Sequence, residues 1–382
     1  MKNGWFLFSL CFWLVCSSSC TKEIKVASVS LSVTELILNV GETKTLKATV
    51  SPSDATNPEI TWKSSNLAVA RVEGGVVRAD GQGSTVISAT ASNGKFAECK
   101  VTVLVPVETI GFEDAIIDIG EGETLAIEVK ISPENATDKS VTWQSSDKEI
   151  ATVDNGAIVA NKVGKTIVTA TSSNGVSASV EVYVNPVLNG QYYVDLGLSV
   201  KWAVLNIGAD NRADSGDLYA WGETEPKTNY SVRTYKFYKE VPYGDSYYTK
   251  YFRYNSTTRL EAEDDVVSCA WGNGWRMPTP YEYQELANNC DFSWVTIGET
   301  KAIMLTSRVE GFTDKSLFLP AGGYAEGTER YGKEDGYYWT SFLGDLYDFD
   351  AHYAYFERGA KRFNVVTYRY KGHSVRGVIK VD

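Results

Sequence analysis

Beyond about residue 28 the chain is built from short stretches in which Val, Ile and Thr alternate with polar residues, such as 44–50 and 85–90. Each stretch is bounded by Gly, Pro, Asn or Asp. A period of two puts successive side chains on opposite faces of a strand, so these stretches are predicted to be half-buried β-strands. The pattern then recurs. Residues 31–103 and 110–184 match with an offset of 81 over most of their length: Ser51-Pro52 with Ser132-Pro133, Thr61-Trp62 with Thr142-Trp143, Ser64-Ser65 with Ser145-Ser146, Gly75 with Gly156, and Asn93-Gly94 with Asn174-Gly175. Near the start an offset of 79 pairs Gly41-Glu42 with Gly120-Glu121, which gives the second copy two extra residues. A duplication of this period reads as two copies of one folding unit.

Each copy is predicted to be a small β-sandwich. The Asn-Gly pairs separate alternating segments and predict hairpins. The single Trp62 or Trp143 is expected to fill the space between two sheets. The Val-Gly-Glu turn, Ser-Pro-x-x-Ala-Thr, Trp-x-Ser-Ser, Ala-x-Val followed by Gly, and the closing Ser-Asn-Gly hairpin together resemble the group 2 bacterial immunoglobulin-like domain. The resemblance implies Ig-like sandwiches at 29–105 and 106–185, after a linker at 21–28. It also implies a spacer or adhesive role, without catalysis.

After Asn185-Pro186 the pattern shifts. Residues 188–382 hold six of the ten Trp, most of the Tyr and both His. Strands are predicted at 191–196, 200–205, 217–221, 316–320, 337–342, 353–356 and 374–381. One helix is expected from Thr279, where Thr279 caps, Pro280 takes the first position and Glu282 closes a capping box. Its Tyr283, Leu286, Ala287 and Cys290 fall on one face. A shorter helix is expected over 261–271, ending at Gly272. The stretches Tyr193–Ala203, Tyr219–Pro226, Asp264–Thr279, Phe318–Tyr324, Gly336–Ser341 and Ser374–Val378 resemble the Fibrobacter major paralogous domain. That resemblance implies an α+β C-type-lectin-like fold for 188–382, of the kind used by formylglycine-generating enzymes, and an exported protein. The predicted fold class is therefore a mainly β multidomain chain with two Ig-like sandwiches and a lectin-like C-terminal domain.

The first twenty residues read as a leader. Lys2 precedes an apolar run at 5–16, too short to span a bilayer of roughly 30 Å, and Ser17-Ser18-Ser19-Cys20 resembles a bacterial lipobox. Cys20 is the expected lipidation site, and the lipid is the expected membrane contact. Three cysteines then remain in the exported chain. Cys99 lies opposite Val180 in the duplication and reads as a core residue, while Cys269 and Cys290 are a possible disulfide.

The formal net charge of −11, from 48 acidic and 37 basic residues, repels phosphate backbones and speaks against nucleic acid as a partner. With two His, zinc and many hydrolase chemistries lose their usual groups. Gly372-His373-Ser374-Val375-Arg376 begins like a nucleophile elbow but lacks the second Gly and a following His. No Cys follows residue 290, which removes the late reactive pair of the formylglycine-generating enzymes. The chain is therefore expected to be non-enzymatic and without cofactor. Structural calcium at Asp335, Asp345, Asp348 and Asp350 is the one metal reading.

Sugar sites stack rings on Tyr and Trp and bond through acidic groups. Trp221, Glu223, Tyr243, Tyr247, Tyr248 and Trp339 are the candidate ligand residues, the Tyr among them within a long loop at 235–254. The competing reading puts Trp202, Trp221, Trp275 and Trp339 in the core and pairs Arg276 and Arg376 with Glu223, Glu282 or Asp265. The expected protein is an outer-membrane lipoprotein on the cell surface, whose Ig-like stalk presents a lectin-like head to a glycan, host protein or envelope protein. One alternative is an enzyme with acid and base carboxylates among Glu223, Glu225, Asp264 and Asp265. Another is a purely structural envelope or fimbrial component.

Overall fold

A computed structural model describes residues 22–255 and 258–380. The leader and Cys20 lie outside the described residues. Residues 22–108 with 132–139 form one compact unit, and residues 109–131 with the described residues from 140 onward form another.

The first unit holds the first sandwich. One sheet runs in the order Glu35–Asn39, Phe96–Leu104, Gly83–Ala91, Ile60–Ser64, with its first two strands parallel; the other runs Thr43–Thr45, Val76–Ala79, Ala70–Glu73. The two-residue period decides which side chains meet. Thr85, Ile87, Ala89 and Ala91 point inward from one strand, and Cys99, Val101 and Val103 from its neighbour. Burying each large aliphatic here contributes roughly 1.5–3 kcal/mol. Trp62 is half-buried and packs on this core.

The duplicated motifs have local causes. Thr85 is a buried polar residue, and its Oγ1 is satisfied by Ser64 Oγ at 3.1 Å, Ser65 Oγ at 3.0 Å and the Asn66 amide at 2.9 Å. Thr166, Ser145, Ser146 and Asp147 repeat the arrangement. Trp-x-Ser-Ser is thus the partner set of a buried hydroxyl, which would otherwise cost about 1–3 kcal/mol. Gly75 and Gly156 sit at φ +85° and +81° against the rings of Trp62 and Trp143, where a Cβ would meet a ring carbon at 3.1 and 3.4 Å. The Asn-Gly hairpins form, but only Gly94 and Gly175 take positive φ, among these pairs. Each is the left-handed residue closing a three-residue loop rather than half of a two-residue type I′ turn.

The structure corrects the early register. Glu123 Oε2 accepts the Gly120 amide at 2.8 Å, as Glu42 Oε2 accepts the Asn39 amide at 2.8 Å. The match to Gly41-Glu42 is therefore Gly122-Glu123 at offset 81, and the second copy has no extra residues. The linker at 21–28 also ends sooner than expected: Val26 is buried and the Ala27 amide bonds the Ser51 carbonyl.

The second unit joins the second sandwich to the C-terminal domain. The sandwich sheets are Ile116–Gly120, Ser177–Asn185, Gly164–Ser172, Val141–Ser145, and Thr124–Ala126, Ala157–Ala160, Ala151–Asp154. At its end Asp118 and Arg212 form a buried ion pair, with side chains 1% and 5% exposed. Arg212 Nε reaches both carboxylate oxygens at 2.9 and 3.1 Å, its backbone amide bonds Oδ2 at 2.9 Å, and Nη2 also donates to Asn185 Oδ1 at 3.0 Å. The guanidinium lies 3.6 Å over the Tyr183 ring. The equivalents of Asp118, Tyr183 and Asn185 in the first copy, by strand register, are Ile37, Thr102 and Leu104. The second copy thus differs from the first where it grips the next domain. A cleft of about 520 Å³ opens beside the grip, between Tyr183, Tyr193, Leu317 and Phe318.

The C-terminal domain is mostly β with little helix. Its sheets are Val187–Leu188, Gln191–Val194, Lys201–Asn206, Arg376–Ile379; Cys290–Ile297, Thr300–Ser307, Ser316–Pro320; and Gly336–Leu343, Asp350–Glu357, Ala360–Tyr368. Helix Pro280–Asn289 carries the expected capping box, with Thr279 Oγ1 accepting the Glu282 amide at 3.2 Å and Glu282 Oε2 the Thr279 amide at 2.7 Å. Cys290 caps that helix and begins a strand instead of continuing the helical face. The shorter helix spans only Val266–Trp271, because Asp265 rather than Glu261 caps it. The strand expected at 217–221 reduces to a single bridge between Tyr219 and His373.

Candidate functional site

The residues expected to face a ligand are dispersed. Trp221 and Trp339 are fully buried; their indole N–H groups donate to the Thr340 and Tyr219 carbonyls at 2.9 and 2.7 Å. They are core residues, as are Trp202 and Trp275. Glu223 is buried, bonded to Lys227 Nζ and the Lys236 amide, both at 2.8 Å. The stretch 235–254 is not a bare loop: Tyr238–Lys239 and Tyr247–Tyr248 pair as a hairpin. Tyr243 at its tip is fully exposed and Tyr247 about half exposed, whereas Tyr248 packs inward on Arg369. Cys269 and Cys290 are not bridged: Cys269 is a free, exposed thiol and Cys290 a free, buried one.

The acidic candidates also have structural partners. Asp264 bonds Lys236 and Lys250 at 2.6 Å and the Tyr251 hydroxyl at 2.7 Å. Burial would raise its pKa, but these three donors lower it overall. Asp265 accepts the amides of Val267, Ser268 and Met277; burial outweighs them and pushes its carboxyl up. Glu225 is exposed. Arg276 pairs with Glu282 at 2.5 Å. Among the described residues Arg376 pairs with no carboxylate; it donates to Asn206 and to the Ala203, Val204 and Phe318 carbonyls. Among the described residues, the acidic group with oxygens within 4.8 Å of one another is Glu261, Glu263 and Asp264, not the four Asp proposed for calcium. The Lys250 ammonium already bonds all three, at 2.6 to 2.8 Å.

What the fold does gather is a tyrosine face. Residues 337 and 339 of one strand and 353 and 355 of the next share a sheet face, because strand side chains alternate. Tyr337 lies 5.0 Å from Tyr355, 6.0 Å from Tyr353 and 4.9 Å from Tyr324, which stacks on Tyr331 at 5.5 Å. Tyr324, Tyr337, Tyr353 and Tyr355 are half-buried and Tyr331 is exposed. A second run stacks Tyr347 on Phe349 at 4.8 Å and Tyr368 on Tyr370 at 5.3 Å, with Phe349 5.6 Å from Tyr368. Lys371 links the runs, its ammonium 4.8 Å from the Tyr324 ring, 5.9 Å from Tyr368 and 2.8 Å from Glu326. A depression of about 540 Å³ lies along the second run.

Under the first run sits His373, 1% exposed, stacked 4.0 Å from Trp339 and edge-on to Tyr353 at 4.9 Å. Burial, helped by Lys371, holds its pKa well below the ordinary 6.5, so the imidazole is neutral. Burial likewise raises the phenols of Tyr337, Tyr353 and Tyr355. They remain protonated and able to donate. The face therefore combines apolar rings with neutral hydroxyls and flanking acids such as Asp335 and Glu326. The pairs at positions two apart, Tyr337 with Trp339 and Tyr353 with Tyr355, were the available signal.

The chain is similar to known proteins chiefly through its duplicated part. The family of bacterial Ig-like domains (group 2) matches residues 25–101 and 106–182. Both copies are therefore group 2 bacterial Ig-like domains. An uncharacterized protein of Clostridium acetobutylicum is 28% identical over 223 residues, 56% of this chain and 23% of that protein. An Ig-like virion protein of Serratia phage KSP90 is 29% identical, covering 40% of this chain and 62% of its own. Lacto-N-biosidase of Bifidobacterium bifidum is 41% identical over 81 residues, 21% of this chain and 7% of the enzyme. The chain spans less than two thirds of each of these relatives. Among solved structures, domains 4 and 5 of the S-layer protein SbsC align at 19% identity and a TM-score of 0.21, covering 36% of this chain and 81% of theirs.

Proposed function

We propose that this is a non-enzymatic lipoprotein of the bacterial cell surface, anchored at Cys20, whose Ig-like domains carry a C-terminal domain that binds glycan on its tyrosine face. The observation that carries the reading is the contiguous set Tyr324, Tyr331, Tyr337, Tyr353 and Tyr355, with ring centres 4.9 to 6.0 Å apart. Half-buried rings are held in place before a ligand arrives, so stacking a sugar on them costs little side-chain entropy. The lipobox-like Ser18-Ser19-Cys20 supports the anchor. The likeness of residues 188–382 to the Fibrobacter major paralogous domain supports an exported, lectin-like head. A relative whose name denotes a glycan-cleaving enzyme, lacto-N-biosidase, is in keeping with a setting rich in glycans. Glycan arrays probed with the chain lacking its leader test the binding. Protease treatment of intact cells tests the surface location, since a chain facing the periplasm survives it.

A further inference from the structure

Three arginines of the second unit are deeply buried, and two of them are bonded along the Nε–Nη2 edge. Arg212 has Asp118 and Asn185, and every nitrogen of Arg376 has an oxygen partner. Arg369 does not follow them. It has no exposed surface, yet only Nη1 is bonded, to the Lys250 and Tyr251 carbonyls at 3.2 Å; Nε and Nη2 have no hydrogen-bond partner. Among the described residues, no carboxylate forms an ion pair with it. Guanidinium keeps its charge in proteins, and buried polar groups are almost always bonded. The Nε–Nη2 edge is thus a two-donor fork held in position with no acceptor.

Part of the cover of this guanidinium is a short hairpin, and the buried Tyr235 lies 5.4 Å away as well. Tyr248 lies 3.9 Å over the guanidinium and belongs to the hairpin whose strands, Tyr238–Lys239 and Tyr247–Tyr248, have two residues each. Two Tyr in this region take the left-handed conformation that bulky side chains disfavour: Tyr243 at the tip, φ 62°, and Tyr251, φ 64°, whose carbonyl binds Nη1. A short, exposed and strained hairpin is the kind of segment that opens locally at low cost. Arg369 itself sits between Tyr368 and Tyr370, the stacked pair of the second aromatic run.

We propose that the Nε–Nη2 edge of Arg369 receives the carboxylate of an acidic, uronate-type glycan, and that the hairpin carrying Tyr248 lifts to admit it. A planar carboxylate presents two oxygens that match this fork in a bidentate pair. The proposal rests on the glycan-binding reading and narrows it to acidic sugars.

The test titrates the chain lacking its leader with a neutral oligosaccharide bearing one terminal galacturonate and with its methyl ester, which keeps the backbone and removes the charge. A single carboxylate keeps small the repulsion that the net charge of −11 exerts on a polyanion. The wild type binds the free acid at least about tenfold more tightly, a difference worth about 1.4 kcal/mol. Arg369→Gln loses the preference and keeps its affinity for the ester. Arg369→Lys, which keeps charge without the fork, recovers only part of it. Tyr248→Ala associates faster. If Arg369→Gln does not fold, the Arg369 Nε–H resonance of the wild type serves instead; it shifts with the acid and not with the ester. Equal binding of acid and ester, or a preference surviving in Arg369→Gln, overturns the acidic-ligand proposal and leaves the glycan reading standing. Binding of neither oligomer overturns both for this class of sugar.

Discussion

Replacing Arg212 with Met strips the counter-charge from a carboxylate with almost no access to water. Asp118 is 1% exposed, and after the change it keeps only the residue-212 amide and Asn185 Nδ2, each at 2.9 Å. The bonds from Nε and Nη2 are lost, and so is the guanidinium packed 3.6 Å over Tyr183. An uncompensated buried charge of this kind costs about 3–5 kcal/mol. Unfolding of the chain lacking its leader in urea, followed by tryptophan fluorescence, reads this loss directly. The strand register supplies the control. Asp118→Ile restores the residue type at the equivalent position 37, and combined with Arg212→Met it removes both charges together. Replacing a buried pair with apolar groups is often neutral, so the double variant lies within about 1 kcal/mol of wild type. A cost below about 1 kcal/mol for Arg212→Met, typical of an exposed ion pair, would refute the reasoning. So would a double variant as unstable as the single one.

Acid should act on His373. Its folded pKa is depressed well below 6.5, so the stability it contributes is complete above about pH 6.5 and drains away as pH falls, because the unfolded chain takes up a proton that the folded chain refuses. His373→Phe flattens the fall in stability between about pH 6.5 and 5. Gly75→Ala and Gly156→Ala each force a Cβ to within 2.6 and 2.5 Å of a backbone carbonyl at positive φ, and lower stability by about 2–3 kcal/mol in thermal melts. Gly94→Ala, with φ +83° but open space around it, costs only about 1 kcal/mol. Of Cys99, Cys269 and Cys290, native thiol labelling modifies only Cys269, slowly because burial and nearby acids raise its pKa; Cys99 and Cys290 react only on unfolding.

The parts of the fold legible from sequence were those set by local chemistry. The capping box at Thr279 and Glu282 needs only residues three apart, and the duplication needs only self-comparison. The Ser-Ser pair after each Trp was visible as a motif, but its meaning depended on Thr85 and Thr166, about twenty positions away. Strand Cys290–Ile297 was missed because its first residue continues the helical spacing of Tyr283 and Leu286. What ends the helix is the extended backbone at Cys290, which no cap residue announces. The candidate site failed for a related reason. Trp221 and Trp339 sit among polar neighbours in sequence, yet carbonyls about 120 positions away satisfy their N–H groups inside the core. The tyrosine face depends on the pairing of Gly336–Leu343 with Asp350–Glu357, a tertiary fact.

The central claim is that the half-buried tyrosines, and not the exposed hairpin tip, hold a glycan. Calorimetric titration of the chain lacking its leader with an array-selected glycan compares wild type, the double variant Tyr337→Ala/Tyr355→Ala, and Tyr243→Ala. Truncating an aromatic hot-spot residue costs about 2 kcal/mol or more, so the double variant weakens binding by at least about tenfold while Tyr243→Ala leaves it unchanged. Undiminished affinity in the folded double variant would contradict the account.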